Sequence, residues 1–538
     1  MQDDRVTVTL PLSQQGLNIV VVTAAVAVLI GVIWLILEET GKQRDAARPE
    51  KLLTALGWVL APIWLLLLGA ILVTLWQLLA HPEQGRDGFA LGTGAVLVAL
   101  LGAPFLIWRT VIGQTTLGYQ KEGHITDRIN KAVEMLGAEK EVKHQRVNSN
   151  GKRVFEKDAN GEIDYARPTM VEETVRNIEV RMGAILSLER IAQDSTRFDA
   201  GRDHVRVMEI LCAYIRENAQ GSDATKSLRE LHDEESKDPG APTARFEEEF
   251  CNKHGLSPPD LSEAISVDAT KRWARSLIEP RADVQLALTV IGRRGADQRR
   301  VEAAWPDPPT GAIAWPFDKD CPRLPDEPGE EALSKAVLDD YVKEVRAWKL
   351  DIAAYRGYRL DLRGANLQRA DMAAMRPDRS DAVFAGVVLD GARMQGAFLF
   401  RARMEGAVLF RARMEGADLR EARMEGADLW KARMEGADLW KARMEGVLLA
   451  GTSLRGAAAR DVNWESVEIS AEQVNSIFGD ASVTLPGGLT PGHADWPAHW
   501  PVWELPLRDP DGDTDFRTEW RKWQADPAGY VPPPPPGD

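Results

Sequence analysis

The sequence predicts a mixed multidomain protein that combines membrane-spanning helices, an α-helical layer with an inserted β-hairpin, and a square solenoid. Three observations support this fold class. Long uncharged apolar stretches lie before residue 110, helical hydrophobic periodicity runs through the middle of the 538-residue chain, and a five-residue repeat occupies residues 382–464. No single small domain accounts for all three patterns.

These patterns divide the chain into five predicted regions. They are a transmembrane region (1–112), an α-helical juxtamembrane domain (113–300) with a hairpin insertion (144–167), a Pro-rich linker with a capping helix (301–357), the solenoid (358–466), and a Trp- and Pro-rich carboxy-terminal cap with a disordered tail (467–538).

The first region contains three predicted membrane-spanning helices, at residues 17–37, 52–80 and 88–108. Each reaches the roughly 20 residues that cross a bilayer core, and none contains a charged residue. Basic residues are more frequent in the loop after the first span, and beyond the third span, than in the loop after the second. The positive-inside rule therefore predicts that the amino terminus lies outside the membrane and the later domains lie in the cytoplasm. Small residues in the third span favour close helix packing, so a homo-oligomer is a hypothesis.

The juxtamembrane domain shows amphipathic helices. Ala184, Ile185 and Leu188 recur at helical spacing within one segment. Between the first two helices, Asn150-Gly151 and Asn160-Gly161 are typical hairpin turns between short strands. Further helices are predicted at about 330–355, before the solenoid, and at 515–524, near the carboxy terminus.

The five-residue repeat predicts the solenoid. Its central residues are leucine or methionine, usually with alanine two positions earlier, as in ARMEGADLWKARMEG. A helix would scatter these residues around its circumference, and a strand would need a period of two. A chain that turns a corner at every pentad fits the pattern, so four pentads form a coil of about 20 residues, and the coils stack at roughly 4.8 Å. An earlier copy at 360–372 predicts a first coil, followed by an inserted loop.

The repeat is stricter at ten residues, so opposite sides of each coil should be alike. Phe400 and Trp440 then share one outward column, and Phe410 and Trp430 share the opposite one. The arginines form two more columns, Arg403, Arg423 and Arg443 in one and Arg413 and Arg433 in the other. Each arginine lies two positions before a glutamate, and these glutamates are Glu405, Glu415, Glu425, Glu435 and Glu445. One interpretation is that these ladders have no role except to keep the coils soluble and in register. The alternative is that the aromatic residues and arginines bind a partner, because exposed Trp and Arg are enriched at binding hot spots.

The segment resembles the pentapeptide-repeat proteins, whose motif is A-(D/N)-L-x-x. The resemblance implies a right-handed quadrilateral β-helix. GHITDRINKAVEML, EVRMGAILSLERIAQDS, VMEILCAYIREN and DVQLALTVIGRR resemble, in order, the juxtamembrane region of bacterial membrane-anchored pentapeptide-repeat proteins. The segment Glu179-Val180-Arg181, followed by Ala184 and Leu188, is also similar to the second helix of a HEAT-type repeat. No catalytic activity is implied.

Motif and charge patterns argue against several function classes. The histidines and the three cysteines are dispersed, and no zinc, nucleophile-elbow or phosphate-loop motif is present. We therefore predict no enzyme, no metal and no cofactor. A net charge of −15 disfavours nucleic-acid binding, which requires a basic surface.

These patterns favour a membrane-anchored scaffold that presents the solenoid to a protein partner. One alternative is a DNA-mimicking binder of a topoisomerase such as DNA gyrase. That function requires a strongly negative solenoid, whereas residues 384–464 hold 13 basic and 11 acidic side chains. A third hypothesis is a cytoplasmic sensor subunit of a membrane transport complex. The absence of ionisable residues from the predicted spans argues against an ion path in this chain.

Overall fold

The computed structural model describes residues 125–157, 159–236, 243–257, 265–307, 313–325, 333–373, 382–507 and 514–535. The three predicted membrane spans lie outside these residues. Among the helices that are described, none has the length and apolar character needed to cross a membrane. Nearly all described residues belong to one compact unit, formed by Arg128–Pro309 and Ile313–Asp538.

The described chain begins with α1 (125–136) and four short strands. The strands are β1 (Glu139–Gln145), β2 (Phe155–Lys157), β3 (Ile163–Pro168) and β4 (Met170–Arg176). Antiparallel pairs form between β1 and β4 and between β2 and β3. The strands therefore extend beyond the predicted insertion at 144–167, because β1 and β4 continue the pairing outward as far as Glu139 and Arg176.

Two helices follow, α2 (Ile178–Phe198) and α3 (His204–Asn218). Asn177 caps the first of them by accepting a hydrogen bond from the Val180 amide. The apolar faces of both helices pack on each other and on α7 (Ala282–Gly292). Ile185, Leu188, Leu211 and Ile215 are fully buried there.

In the described part of the chain, five further helices precede the solenoid. They are α4 (Leu228–Glu235), α5 (Thr243–His254), α6 (Val267–Ser276), α8 (Ala296–Ala304) and α9 (Lys335–Ala353), the last two on either side of a short 3-10 turn at Pro316–Asp318. A buried polar cluster joins α8 to two other segments: Glu302 of α8 contacts His204 of α3 at 2.9 Å and forms an ion pair at 2.7 Å with Arg294, which lies between α7 and α8. Because a buried charge is costly without a partner, this cluster holds α3, α8 and the loop between α7 and α8 together.

The solenoid consists of square coils of 20 residues. Parallel bridges join residues 20 positions apart, for example Arg403 with Arg423 and Arg423 with Arg443. Residues of the first coil form bridges with residues 27 positions later, as between Asp361 and Val388. The inserted segment therefore follows the first coil. The inward alanines and the leucines or methionines are fully buried along the regular coils. This packing confirms the β-helix that the repeat predicted.

Each regular coil has four sides, named here by their central residues. Side A is centred on Phe384, Met404, Met424 and Met444, side B on Leu389, Leu409, Leu429 and Leu449, side C on Met394, Met414, Met434 and Leu454, and side D on Leu399, Leu419, Leu439 and Ala459.

The helical domain covers the amino-terminal end of the solenoid. Gln220, just after α3, pairs with Ala365 of the first coil, and the Gly292 carbonyl at the end of α7 accepts from the Val383 amide at 2.8 Å. We expected the helix before the solenoid to form this cap. Instead α9 lies along side A, because its apolar stripe is long enough to follow several coils. Val345, Trp348 and Ile352 of that stripe are buried.

The carboxy-terminal segment contains α10 (Ala471–Asn475) and α11 (Phe516–Ala525) and covers the last coil. Phe478 forms a bridge with Ala458 and packs in a cluster with Trp520 and Trp523. Two indole groups donate hydrogen bonds to neighbouring carbonyls, Trp500 to Ile477 at 2.8 Å and Trp520 to Gly456 at 3.0 Å. The backbone edge of the last coil is therefore paired.

Candidate interaction surface

Sides A and C of the solenoid are covered by other parts of the same chain. On side A, Gly406 faces Phe317 and Ile352, and Gly426 faces Trp348. On side C, α6 passes over Gly416 and Gly436 in the same manner. The glycines of the M-E-G pentads thus leave room for helices to approach the coils closely.

The candidate arginines lie on these two covered sides, and each has partners within the chain. On side A, Arg403 and Arg423 contact Asp318 at 3.2 Å and Asp320 at 3.0 Å. On side C, Arg413 contacts Glu230 of α4 at 2.6 Å. Arg433 pairs with Glu415 and Glu435, and Arg443 pairs with Glu425. The structure therefore gives all five arginines intramolecular partners.

The glutamates beside these arginines are buried. Glu405, Glu415 and Glu425 have no solvent exposure, and several of their carboxylate oxygens accept no hydrogen bond within the described part of the chain. Burial raises the pKa of Glu415 to about 7, although Arg433 acts in the opposite direction. The pKa of Glu425 is likewise raised to about 7, mainly by burial. These ladders are internal layers and do not serve as a solvated face.

Side B carries an aromatic pair that faces outward. The ring centroids of Phe410 and Trp430 lie 5.2 Å apart on successive coils. Trp430 is 46% exposed, and Leu448, one coil further, is 44% exposed. Arg411 and Lys431, at the adjoining corner, place their charged groups 4.8 and 4.7 Å from the centres of these two rings. Side B therefore combines an apolar strip with a cationic edge.

Side D arranges its aromatic residues differently. Arg420 lies in the same column between Phe400 and Trp440, and its guanidinium is 5.5 Å from the Phe400 ring centre. The indole of Trp440 donates a hydrogen bond to Asp461 at 3.1 Å. The Phe400 and Trp440 side chains are both partly buried. The four candidate aromatic residues thus form one contiguous pair on side B and two separated residues on side D.

The repeat also matches a known family model. Residues 402–440 and 427–463 match the model described as pentapeptide repeats, in eight copies. The solenoid is a pentapeptide-repeat domain. Among curated proteins, no sequence matches this chain.

Solved structures of pentapeptide-repeat proteins align with the domain. Rfr23 from the cyanobacterium Cyanothece 51142 is 24% identical, and the alignment covers 23% of this chain and 87% of that chain with a TM-score of 0.16. A thylakoid lumen protein from Arabidopsis thaliana is 30% identical, with coverages of 19% and 66% and a TM-score of 0.13. QnrB1, described as a plasmid-mediated fluoroquinolone resistance protein, is 18% identical, with coverages of 25% and 73% and a TM-score of 0.12. These alignments carry no argument about function.

Two features of the pentapeptide-repeat domain were missed by the sequence analysis. The first is the cover on sides A and C, and the second is the burial of its glutamates. The sequence does contain a signal for the cover. The residue two positions after each central residue lies at a corner of the coil, and it is mostly glycine on sides A and C but often Arg, Lys or Glu on sides B and D. Arg411 and Lys431 hold this corner at φ of 55° and 58°, a left-handed conformation that favours glycine. Charged residues are therefore used at the open corners despite the backbone cost.

In the described part of the chain, the cysteines and the clusters of acidic residues do not form a reactive site. Within the described ranges, no group of three or more His, Cys, Asp or Glu side chains could hold a metal ion. Cys212, Cys251 and Cys321 are buried, and none of them forms a disulfide. Burial raises the pKa of the Cys212 thiol to about 12, which disfavours the reactive thiolate.

Proposed function

We propose that this chain is a non-enzymatic interaction protein whose pentapeptide-repeat domain presents side B to a protein partner. The observation that carries this proposal is the unequal use of the four sides. Sides A and C pack against the chain's own helices, whereas side B keeps Trp430 and Leu448 exposed beside the Phe410 ring. A partner with an apolar strip flanked by acidic residues would complement both the aromatic pair and the cations at the corner.

We further propose that the amino-terminal region anchors the chain in a bacterial inner membrane, with the amino terminus outside and the later domains in the cytoplasm. The support is the sequence alone: three uncharged apolar stretches and the distribution of basic residues around them. In this arrangement the anchor confines the interaction surface to the cytoplasmic face of the membrane. A cytoplasmic sensor within a transport complex would be one specific form of this function.

A gyrase-binding DNA mimic has less support. The exposed corners on sides B and D include Arg401, Arg411, Lys431 and Lys441. A surface that imitates a phosphate backbone must be negatively charged, whereas these corners are basic. We therefore retain the protein-scaffold proposal.

The partner proposal is tested by photo-crosslinking the full-length chain in cells and comparing two double variants. Phe410→Ala with Trp430→Ala alters side B, and Phe400→Ala with Trp440→Ala is the matched control on side D. We expect at least a tenfold loss of one crosslinked protein in the side B variant alone, because exposed aromatic residues dominate such interfaces. Circular dichroism must first show that both variants keep the fold of the wild-type chain. An unchanged set of crosslinked proteins in the side B variant would contradict the proposal.

The membrane proposal has a separate test. Membranes from cells that express the full-length chain are washed with alkaline carbonate, which releases peripheral proteins. We expect the chain to remain in the membrane pellet, and we expect protease to reach the carboxy-terminal domains only after the inner membrane is opened. Release of the chain by carbonate would refute the anchor without affecting the side B proposal.

A further inference from the structure

A cavity of about 320 Å³ lies on side D, beside α6 and α11, and basic side chains dominate its lining. The basic lining residues are Lys271, Arg275, Arg369, Arg420, Arg517 and Arg521, and the acidic ones are Asp418 and Asp438. The positive charge is therefore in excess even when both aspartates are ionised.

The chain compensates only part of this positive charge. Arg420 forms a pair with Asp418 at 2.6 Å, and Arg369 reaches Glu279 at 3.3 Å. Among the described residues, Arg275, Arg517 and Arg521 have no carboxylate within 4.0 Å. Burial also raises the pKa of Asp438, which weakens that group as a counter-charge.

Two of the basic groups are held inside the cavity wall. Lys271 is only 9% exposed; its ammonium lies 3.5 Å from the centre of the Trp520 ring and donates to Gln524 at 3.3 Å. Nothing in the described part of the chain offers it a carboxylate at ion-pair distance. Burial, followed by the charge of Arg275, lowers the pKa of this lysine to about 8. The Nε atom of Arg369 is also buried and has no hydrogen-bond partner among the described residues.

A buried cation without a counter-charge is costly, so the placement of Lys271 in the wall of a cavity lined by further arginines requires an explanation. A bound anion would supply the missing acceptors. The volume of the cavity is within the range of small-molecule sites, which begins at about 300 Å³. Guanidinium groups bind phosphate oxygens in bidentate fashion, and a phosphate group carries close to two negative charges at neutral pH.

We propose that this cavity binds a small phosphorylated ligand. Lys271 and Arg369 would contact its phosphoryl oxygens from the inner wall, and Arg517 and Arg521 of α11 would contact them from the exposed rim. The cavity also borders the corner glycines at 396, 416 and 436, where α6 packs closely on the coils. Such a ligand would connect the carboxy-terminal helix to side D, because the lining includes both α11 and the coils.

The test is isothermal titration calorimetry of the purified full-length chain with pyrophosphate at constant ionic strength. Lys271→Gln changes the inner wall. Arg517→Gln with Arg521→Gln changes only exposed rim residues, so this variant keeps the test valid if the lysine variant does not fold. The matched control is Arg272→Gln, which removes the same charge from an exposed position on α6 that does not line the cavity.

We expect pyrophosphate to bind the wild-type chain and the control equally, and we expect the dissociation constant to rise at least tenfold in each folded cavity variant. Absence of binding to the wild-type chain would overturn the proposal. So would unchanged binding in the rim variant, because the ligand would then lie elsewhere. Citrate is titrated in parallel, and equal or tighter binding of citrate would overturn the assignment to a phosphorylated ligand.

Discussion

Glu415 on side C is a carboxyl group enclosed by the chain's own packing. Its ordinary pKa is 4.5, and burial raises the pKa in the folded chain to about 7. Between these values the folded state binds more protons than the unfolded state. The contribution of this group to stability is therefore fully present below about pH 4.5 and is lost as the pH rises through about 7.

We predict that Glu415→Gln stabilises the domain at pH 8, by about 1–2 kcal/mol, because an ionised buried carboxylate is replaced by a neutral amide. Gln395 occupies the equivalent position one coil earlier, so the side chain fits this column. Thermal unfolding of the full-length chain at pH 5.5 and pH 8 measures the effect. The stabilisation of the variant relative to the wild-type chain should be smaller at pH 5.5.

The control for this prediction is Glu344→Gln on the exposed face of α9. It should change the melting temperature little at either pH, because a solvated carboxylate pays no burial cost. If Glu415→Gln destabilises the domain at pH 8, then the pairing of Glu415 with Arg433 outweighs the cost of burial.

At the scale of elements, the contact between α9 and side A depends on a small residue at the corner. A Cβ added at Gly406 would lie 2.6 Å from Cγ2 of Ile352 and 2.7 Å from Cε1 of Phe317. The residue also has a φ of 60°, in the left-handed region. An alanine there would combine backbone strain with a steric clash against α9 and the turn before it.

We predict that Gly406→Ala destabilises the domain by about 2–4 kcal/mol and speeds trypsin cleavage within α9. The matched control is Gly391→Ala on side B, where φ is 65° but no atom lies within 4 Å of the added Cβ. That variant should lose only the backbone component, about 1–2 kcal/mol. Equal losses in the two variants would show that the packing of α9 on Gly406 contributes nothing measurable.

The elements also show how far the sequence could predict this structure. The coil length followed from the pentad period, because the covalent chain itself dictates which residues stack. The cover on side A could not be predicted, because the apolar stripe of α9 indicates that something is buried against it but not what. The burial of Glu415 depends on this type of packing, so the repeat pattern alone suggested a solvated ladder. The basic cavity was missed for a related reason: Lys271, Arg369 and Arg521 come from distant parts of the chain.

At the scale of the whole molecule, both described ends of the solenoid are closed. The amino-terminal end meets α3 and α7, and the carboxy-terminal end meets the segment around Phe478. A solenoid without such caps exposes unpaired backbone groups that can pair with another chain. The caps therefore keep the coil stack from adding further copies of itself.

We predict that truncation after residue 466 produces higher oligomers or aggregates. The truncation removes Phe478, whose amide donates to Ala457 and whose carbonyl accepts from Ala459. It also removes the tryptophans that cover this end. Size-exclusion chromatography with light scattering measures the outcome against a control that lacks only residues 536–538. A truncated chain with the same association state as that control would show that the last coil needs no cover.

The alternation of glycine corners with charged corners limits which insertions and deletions the repeat can accommodate. Loss or duplication of ten residues turns every later coil through half a revolution, which exchanges side A with side C and side B with side D. Because opposite sides are alike, glycine still faces the helices and charged corners still face outward. A change of five residues would instead place Arg411 or Lys431 beneath a helix. We therefore expect insertions and deletions of two pentads to preserve the packing of the coils, and those of a single pentad to disrupt it.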